Sequence, residues 1–119
     1  GLWHMWYLVG TKWLNHNGKY EPVYKFAHAK SKDGISWERN GIPIIPSKFK
    51  DECHVSFSVF RHNDKWNAIF AYRKPLDFRE ASDGSYRLGY VYSNDLETWH
   101  RDDDKIGIDV SKLPMLYCV

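Results

Sequence analysis

Ser31-Lys32-Asp33-Gly34-Ile35-Ser36-Trp37 returns further along the chain as Ser93-Asn94-Asp95-Leu96-Glu97-Thr98-Trp99. The match extends backward, with Phe26-Ala27-His28-Ala29-Lys30 over Leu88-Gly89-Tyr90-Val91-Tyr92. Shifted by one residue, it continues with Trp3-His4-Met5-Trp6-Tyr7 over Trp66-Asn67-Ala68-Ile69-Phe70. A unit this short cannot bury a core of its own and stacks on copies of itself. The repeat therefore decides which residues can meet.

Working outward, the apolar residues alternate or run in short blocks, which is the period of strands rather than helices. The first copy places strands over residues 3–9, 23–30 and 35–39, with a turn at Ser31–Gly34 and punctuation at Asn40-Gly41. Pro43 and Pro46 mark an outer edge or a connection, because proline cannot donate to a ladder. The second copy adds a strand in front: 55–62, 65–72, 86–92 and 98–101, with tight turns at Asn63-Asp64 and Asn94-Asp95. Residues 115–119 read as the start of a third unit. The order is B-C-D, then A-B-C-D, then A. We expect an all-β fold of antiparallel four-stranded blades, about two blades of a five-bladed propeller. Residues 1–46 would be a blade lacking its inner strand, 47–108 a complete blade and 109–119 the start of the next. A β-sandwich is the competing architecture. The chain reads as a part, with the remaining blades of the parent chain as its partners.

An up-and-down meander sorts the loops to two ends. The turns at 62–65, 31–34 and 93–97 fall at one end. The longer connections at 10–22, 45–54, 73–85 and 107–114 fall at the other, where binding concentrates on a rigid scaffold. Asp51-Glu52 precede the inner strand of the complete blade, and a carboxylate there suits acid or base chemistry. Glycosidic cleavage needs two carboxyl groups about 5–5.5 Å or about 6.5–9.5 Å apart. Adjacent strand residues point to opposite faces, so Asp51 and Glu52 are not the two halves of one such pair. The alternative for both is a solvated acidic loop end.

Arg73 directly follows the next strand. Its loop also carries Lys74 and Arg79, balanced by Asp77 and Glu80, and fits either an anion or hydroxyl clamp or a solvated loop. His54 could orient a carboxylate or sit satisfied in the core. Trp13 and His16, in the expected 10–22 loop, would suit a sugar face and its hydroxyls. Trp3, Trp6 and Trp66 read as packing. Asp33 and Asp95 recur before a Trp, but their turns call for side-chain bonds to following amides, a structural task. Asp102-Asp103-Asp104 lacks the glycine and closing glutamate of a calcium loop and reads as solvated charge.

The net charge of +2 argues against a nucleic-acid arm. No apolar run approaches the ~20 residues that span a bilayer. Cys53 and Cys118 have no metal-ligand spacing and read as buried free thiols, which favours the cytoplasm slightly and leaves the compartment open. No metal and no cofactor is called for.

The segments HNDKWNAIFAYR and YRLGYVYSNDLETW resemble the five-bladed propellers of the glycoside hydrolase superfamily that contains arabinanases, invertases and levansucrases (families 43, 32 and 68). The pattern is most similar to a bacterial glycosidase-like branch. Its landmarks match Asp51-Glu52, Tyr72-Arg73, Tyr86 through Trp99, and Gly107-Ile108-Asp109-Val110-Ser111 here. The resemblance implies a carbohydrate or glycoconjugate partner and hydrolysis or transfer of glycosidic bonds by acids at the starts of inner strands. Glu52 best fits such an acid, with Asp51 beside it, and Arg73, His54, Trp13 and His16 as candidate substrate contacts. Lys112-Leu113-Pro114 stands where relatives often carry another acid. Non-catalytic sugar binding and protein docking remain alternatives.

Overall fold

The computed structural model describes residues 1–76 and 85–107. The described residues are all-β. Seven strands run in chain order: β1 (Trp3–His16), β2 (Lys19–Ser31), β3 (Glu38–Arg39), β4 (Cys53–His62), β5 (Lys65–Arg73), β6 (Arg87–Ser93) and β7 (His100–Arg101). A 3₁₀ turn, Asp103–Lys105, follows. Every pairing is antiparallel, and the strands form two open sheets, β1-β2-β3 and β4-β5-β6-β7. The expected strand at 115–119 lies outside the described residues.

The sequence repeat is also a repeat of register. Trp3 pairs with Ser31 as Trp66 pairs with Ser93, and Ala29 pairs with Arg39 as Val91 pairs with Arg101. β1, β2 and β3 thus stand for β5, β6 and β7, and β4 has no counterpart in the first sheet.

The recurring turns match bond for bond. Ser31 Oγ accepts the Asp33 and Gly34 amides at 3.2 and 2.8 Å, and Asp33 Oδ1 accepts those of Ile35 and Ser36 at 2.8 and 2.9 Å. Ser93 and Asp95 make the same four bonds, to the amides of Asp95, Leu96, Glu97 and Thr98. Short polar side chains that satisfy following amides stop the strand and reverse the chain. The structural task expected of Asp33 and Asp95 is what they perform.

One expected loop is absent. Residues 10–22 continue the β1–β2 hairpin, closed by Asn17-Gly18 at φ of 54° and 79°. Both turn residues are left-handed, as a two-residue hairpin turn requires, and Asn-Gly supplies that at low cost. The only irregularity is a bulge between Gly10 and Lys12. The strands expected at 35–39 and 98–101 shorten to two residues each, because the Ser-Asp turns take up the residues before them.

The two sheets share one core. Trp6 and Phe26 of the first pack with Phe57, Ala68, Phe70, Val91 and Trp99 of the second. The faces in contact are not equivalent. The second sheet uses Ala68 and Phe70, whose register counterparts are Met5 and Tyr7. The first sheet uses the opposite face, that of Trp6. Met5 is 39 % exposed where Ala68 is fully buried. The sheets therefore stack head to tail. Trp6 and Trp66 pack as expected, but Trp3 does not: it lies 61 % exposed on the uncovered face.

Candidate functional site

Glu52 ends the connection between the sheets. Its carboxylate is fully buried at the end of the second sheet away from the Ser93–Asp95 turn, since Cys53 pairs with Arg73 and Ser93 pairs with Trp66 at the other end. Cross-sheet contacts align the first sheet the same way. Lys30 meets Glu97 at 2.7 Å near the turns, and Cys53 Sγ donates to the Pro22 carbonyl at 3.8 Å near Glu52.

Two side chains hold the carboxylate, through three bonds. Arg101 forks onto it, Nη1 to Oε1 and Nη2 to Oε2, the latter at 3.1 Å. His54 Nε2 donates to Oε1 at 2.6 Å. Burial works against a charge here, but the bonds from His54 and Arg101 outweigh it and hold the carboxyl below its ordinary range. Glu52 is ionised at neutral pH.

Arg101 spans the site. Its Nε bonds both oxygens of Asp103 at 3.1 Å, Nη1 reaches the Pro46 carbonyl at 2.8 Å, and its guanidinium lies over Phe70 and Tyr72 at 5.0 and 4.7 Å. Asp103 also accepts the Tyr90 amide at 3.0 Å and pairs with Lys48 at 2.8 Å. Carboxylate, guanidinium, carboxylate and ammonium alternate in sign, so each buried charge has an opposite neighbour. Asp103 is thus not the solvated charge expected of the acidic run: its side chain is 8 % exposed.

His54 is fully buried, edge-on to Phe70 at 5.3 Å. Burial, only partly opposed by Glu52, lowers its pKa, so the ring is neutral at pH 7. Because a carboxylate can only accept, the proton sits on Nε2. Among the described residues, Nδ1 is left as a buried acceptor without a hydrogen-bond partner.

The other candidates separate. Asp51 turns away through a left-handed φ of 57° and pairs with Lys12 at 2.6 Å. Arg73 is 4 % exposed, and its Nη1 donates to the carbonyls of Lys74 and Pro75 at 3.0 and 3.4 Å. Its guanidinium lies 5.9 Å from the Tyr86 ring. Trp13 is 66 % exposed on the hairpin, opposite Pro22, at the Glu52 end. His16 sits at the hairpin tip. Three positions apart on a regular strand, Trp13 and His16 occupy opposite faces and do not converge on one sugar ring as expected. Asp77, Arg79, Glu80, residues 108–114 and Cys118 lie outside the described residues, while Cys53 is a buried free thiol as expected. Among the described residues no group of three or more His, Cys, Asp or Glu side chains is placed to hold a metal ion, and no helix is long and apolar enough to cross a membrane.

Sequence reasoning missed Arg101, Asp103 and Lys48. The available signal was an arginine at the end of the last strand followed by three aspartates, a cation set against more acid than solvent alone requires. No family model, curated protein or solved structure matches this chain.

Proposed function

We propose that the chain is the repeated part of a carbohydrate-active β-propeller whose working end carries Asp51, Glu52 and Arg73. The observation that carries this reading is the head-to-tail stacking of two sheets of identical register. A heterologous contact leaves a complementary face open at each end of the stack, and such a stack closes into a ring when the rotation per unit permits. Both Ser-Asp turns point to one end of the stack and Glu52 to the other.

Glu52 enters this reading as an anion. Held ionised, it is suited to act as base, nucleophile or stabiliser of a developing oxocarbenium ion, and unsuited to protonate a leaving group. His54 and Arg101 fix its orientation, and the proton donor is a different carboxyl. The test is glycan binding and glycoside turnover by the protein that contains this chain, with and without Glu52→Gln. Loss of turnover with binding retained is expected. Absence of both binding and turnover in the unaltered protein overturns the reading.

A second reading, sugar binding without bond cleavage, is favoured by one observation: Glu52 has no exposed surface and both of its oxygens are engaged. Binding that survives Glu52→Gln, with no turnover by either protein, selects it.

A further inference from the structure

Among the described residues the first sheet lacks a counterpart to β4, and none of them pairs with the edge that counterpart would cover. β1 is an edge strand of 14 residues, with Trp3, Met5 and Leu8 exposed along it. Long apolar edges are normally blocked by charge, proline or a covering strand. Residues 3–10 carry no proline and no lysine.

The second sheet shows what fits there. β4 runs antiparallel to β5 from Cys53 opposite Arg73 to His62 opposite Lys65. The register places Trp3 where Trp66 stands and Gly10 where Arg73 stands, and the Gly10/Lys12 bulge marks where such pairing would end. Just ahead of β4 comes Glu52, which binds Arg101. Arg39 occupies the register position of Arg101. It is exposed and without a side-chain hydrogen bond or ion pair among the described residues. Gly41 stands where Asp103 does, so the first sheet has no counterpart of the carboxylate that Arg101 binds through Nε.

We infer that the edge of β1 over residues 3–10 takes an extended, antiparallel polypeptide segment of β4's alternating pattern, preceded by a carboxylate that binds Arg39. A second copy of the chain is a poorer occupant. Its own Glu52 is held by its own Arg101, and edge-to-edge pairing would leave Arg39 without an acid. The inference rests on the register repeat and is independent of any sugar activity.

The 119-residue chain would be titrated with a peptide of residues 51–62 carrying Cys53→Ser, and amide exchange followed. Exchange at residues 3–10 is expected to slow roughly tenfold or more on saturation. Arg39→Gln in the chain, or Glu52→Gln in the peptide, is expected to weaken binding severalfold, and the two changes together no further. As a covalent control, the same segment joined to Leu2 through an Asn-Asp turn that takes the place of Gly1, as Asn63-Asp64 leads into Lys65, should protect the same amides. No protection in the joined form overturns the inference. So do protection confined to β5, which would mean exchange with β4, dimerisation that protects β1 without peptide, and equal affinity of the Arg39→Gln chain.

Discussion

Glu52 and Arg101 stand 49 positions apart in the chain and meet as a two-pronged buried ion pair, Nη2 to Oε2 at 3.1 Å. Both side chains are under a tenth exposed. Removing one partner strands a charge away from water. Arg101→Gln is therefore expected to cost about 3–5 kcal/mol of unfolding free energy, and the apolar double replacement Glu52→Met with Arg101→Met distinctly less. Urea titration of the three proteins checks this, and a double variant weaker than Arg101→Gln would contradict it.

Acid should unfold the chain in two stages. His54 has a folded pKa below its ordinary 6.5, chiefly through burial. Its contribution is therefore complete above pH 6.5 and declines as pH falls toward the folded value. Glu52 and Asp103 also titrate below their ordinary 4.5 and 3.8, because ion pairing outweighs burial. Their contributions begin to fall only as pH drops toward 4.5 and 3.8, after the decline from His54 has begun. Melting temperature against pH should fall in both stages, and His54→Gln should flatten the first while leaving the second.

Phe70 fills the place where Gly89 has no side chain. A Cβ on Gly89 would lie 2.8 Å from two carbons of the Phe70 ring, which is itself fully buried. Gly89→Ala is expected to destabilise by about 1–3 kcal/mol, with Phe70→Leu in the same chain recovering part of the loss. Additive losses in denaturant midpoints would show that the two positions are not in conflict.

Leu96 holds a left-handed φ of 65° at the place where the first copy has Gly34 at 78°. It is also 8 % exposed and part of the core, so packing keeps a leucine where the backbone favours glycine. Leu96→Ala loses the packing and keeps the strain, at about 2–5 kcal/mol. Leu96→Gly relieves the strain and should be the more stable of the two by about 1 kcal/mol. The reverse order in thermal melts would refute this account.

The strands and their order were legible because their signals are local. Alternation over a few residues, Asn-Asp and Asn-Gly pairs, and the Ser-x-Asp-x-x-x-Trp turn act on backbone groups within a few positions. The 10–22 hairpin was also written in Asn17-Gly18, although its length and mixed polarity read as a loop. The site was legible in part. Position alone marked Glu52 and His54, whereas the apparent solubility of three consecutive aspartates concealed Asp103.

Pattern within each unit dictated the seven antiparallel strands of the described residues and two equivalent turns, since a backbone amide answers to the side chains beside it. Folding in three dimensions settled which faces touch, that Trp3 stays uncovered while Trp6 is packed, and that a buried arginine holds Glu52 as an anion. Those outcomes depend on contacts between groups tens of residues apart, whose energies arise only once water has been excluded from between the sheets.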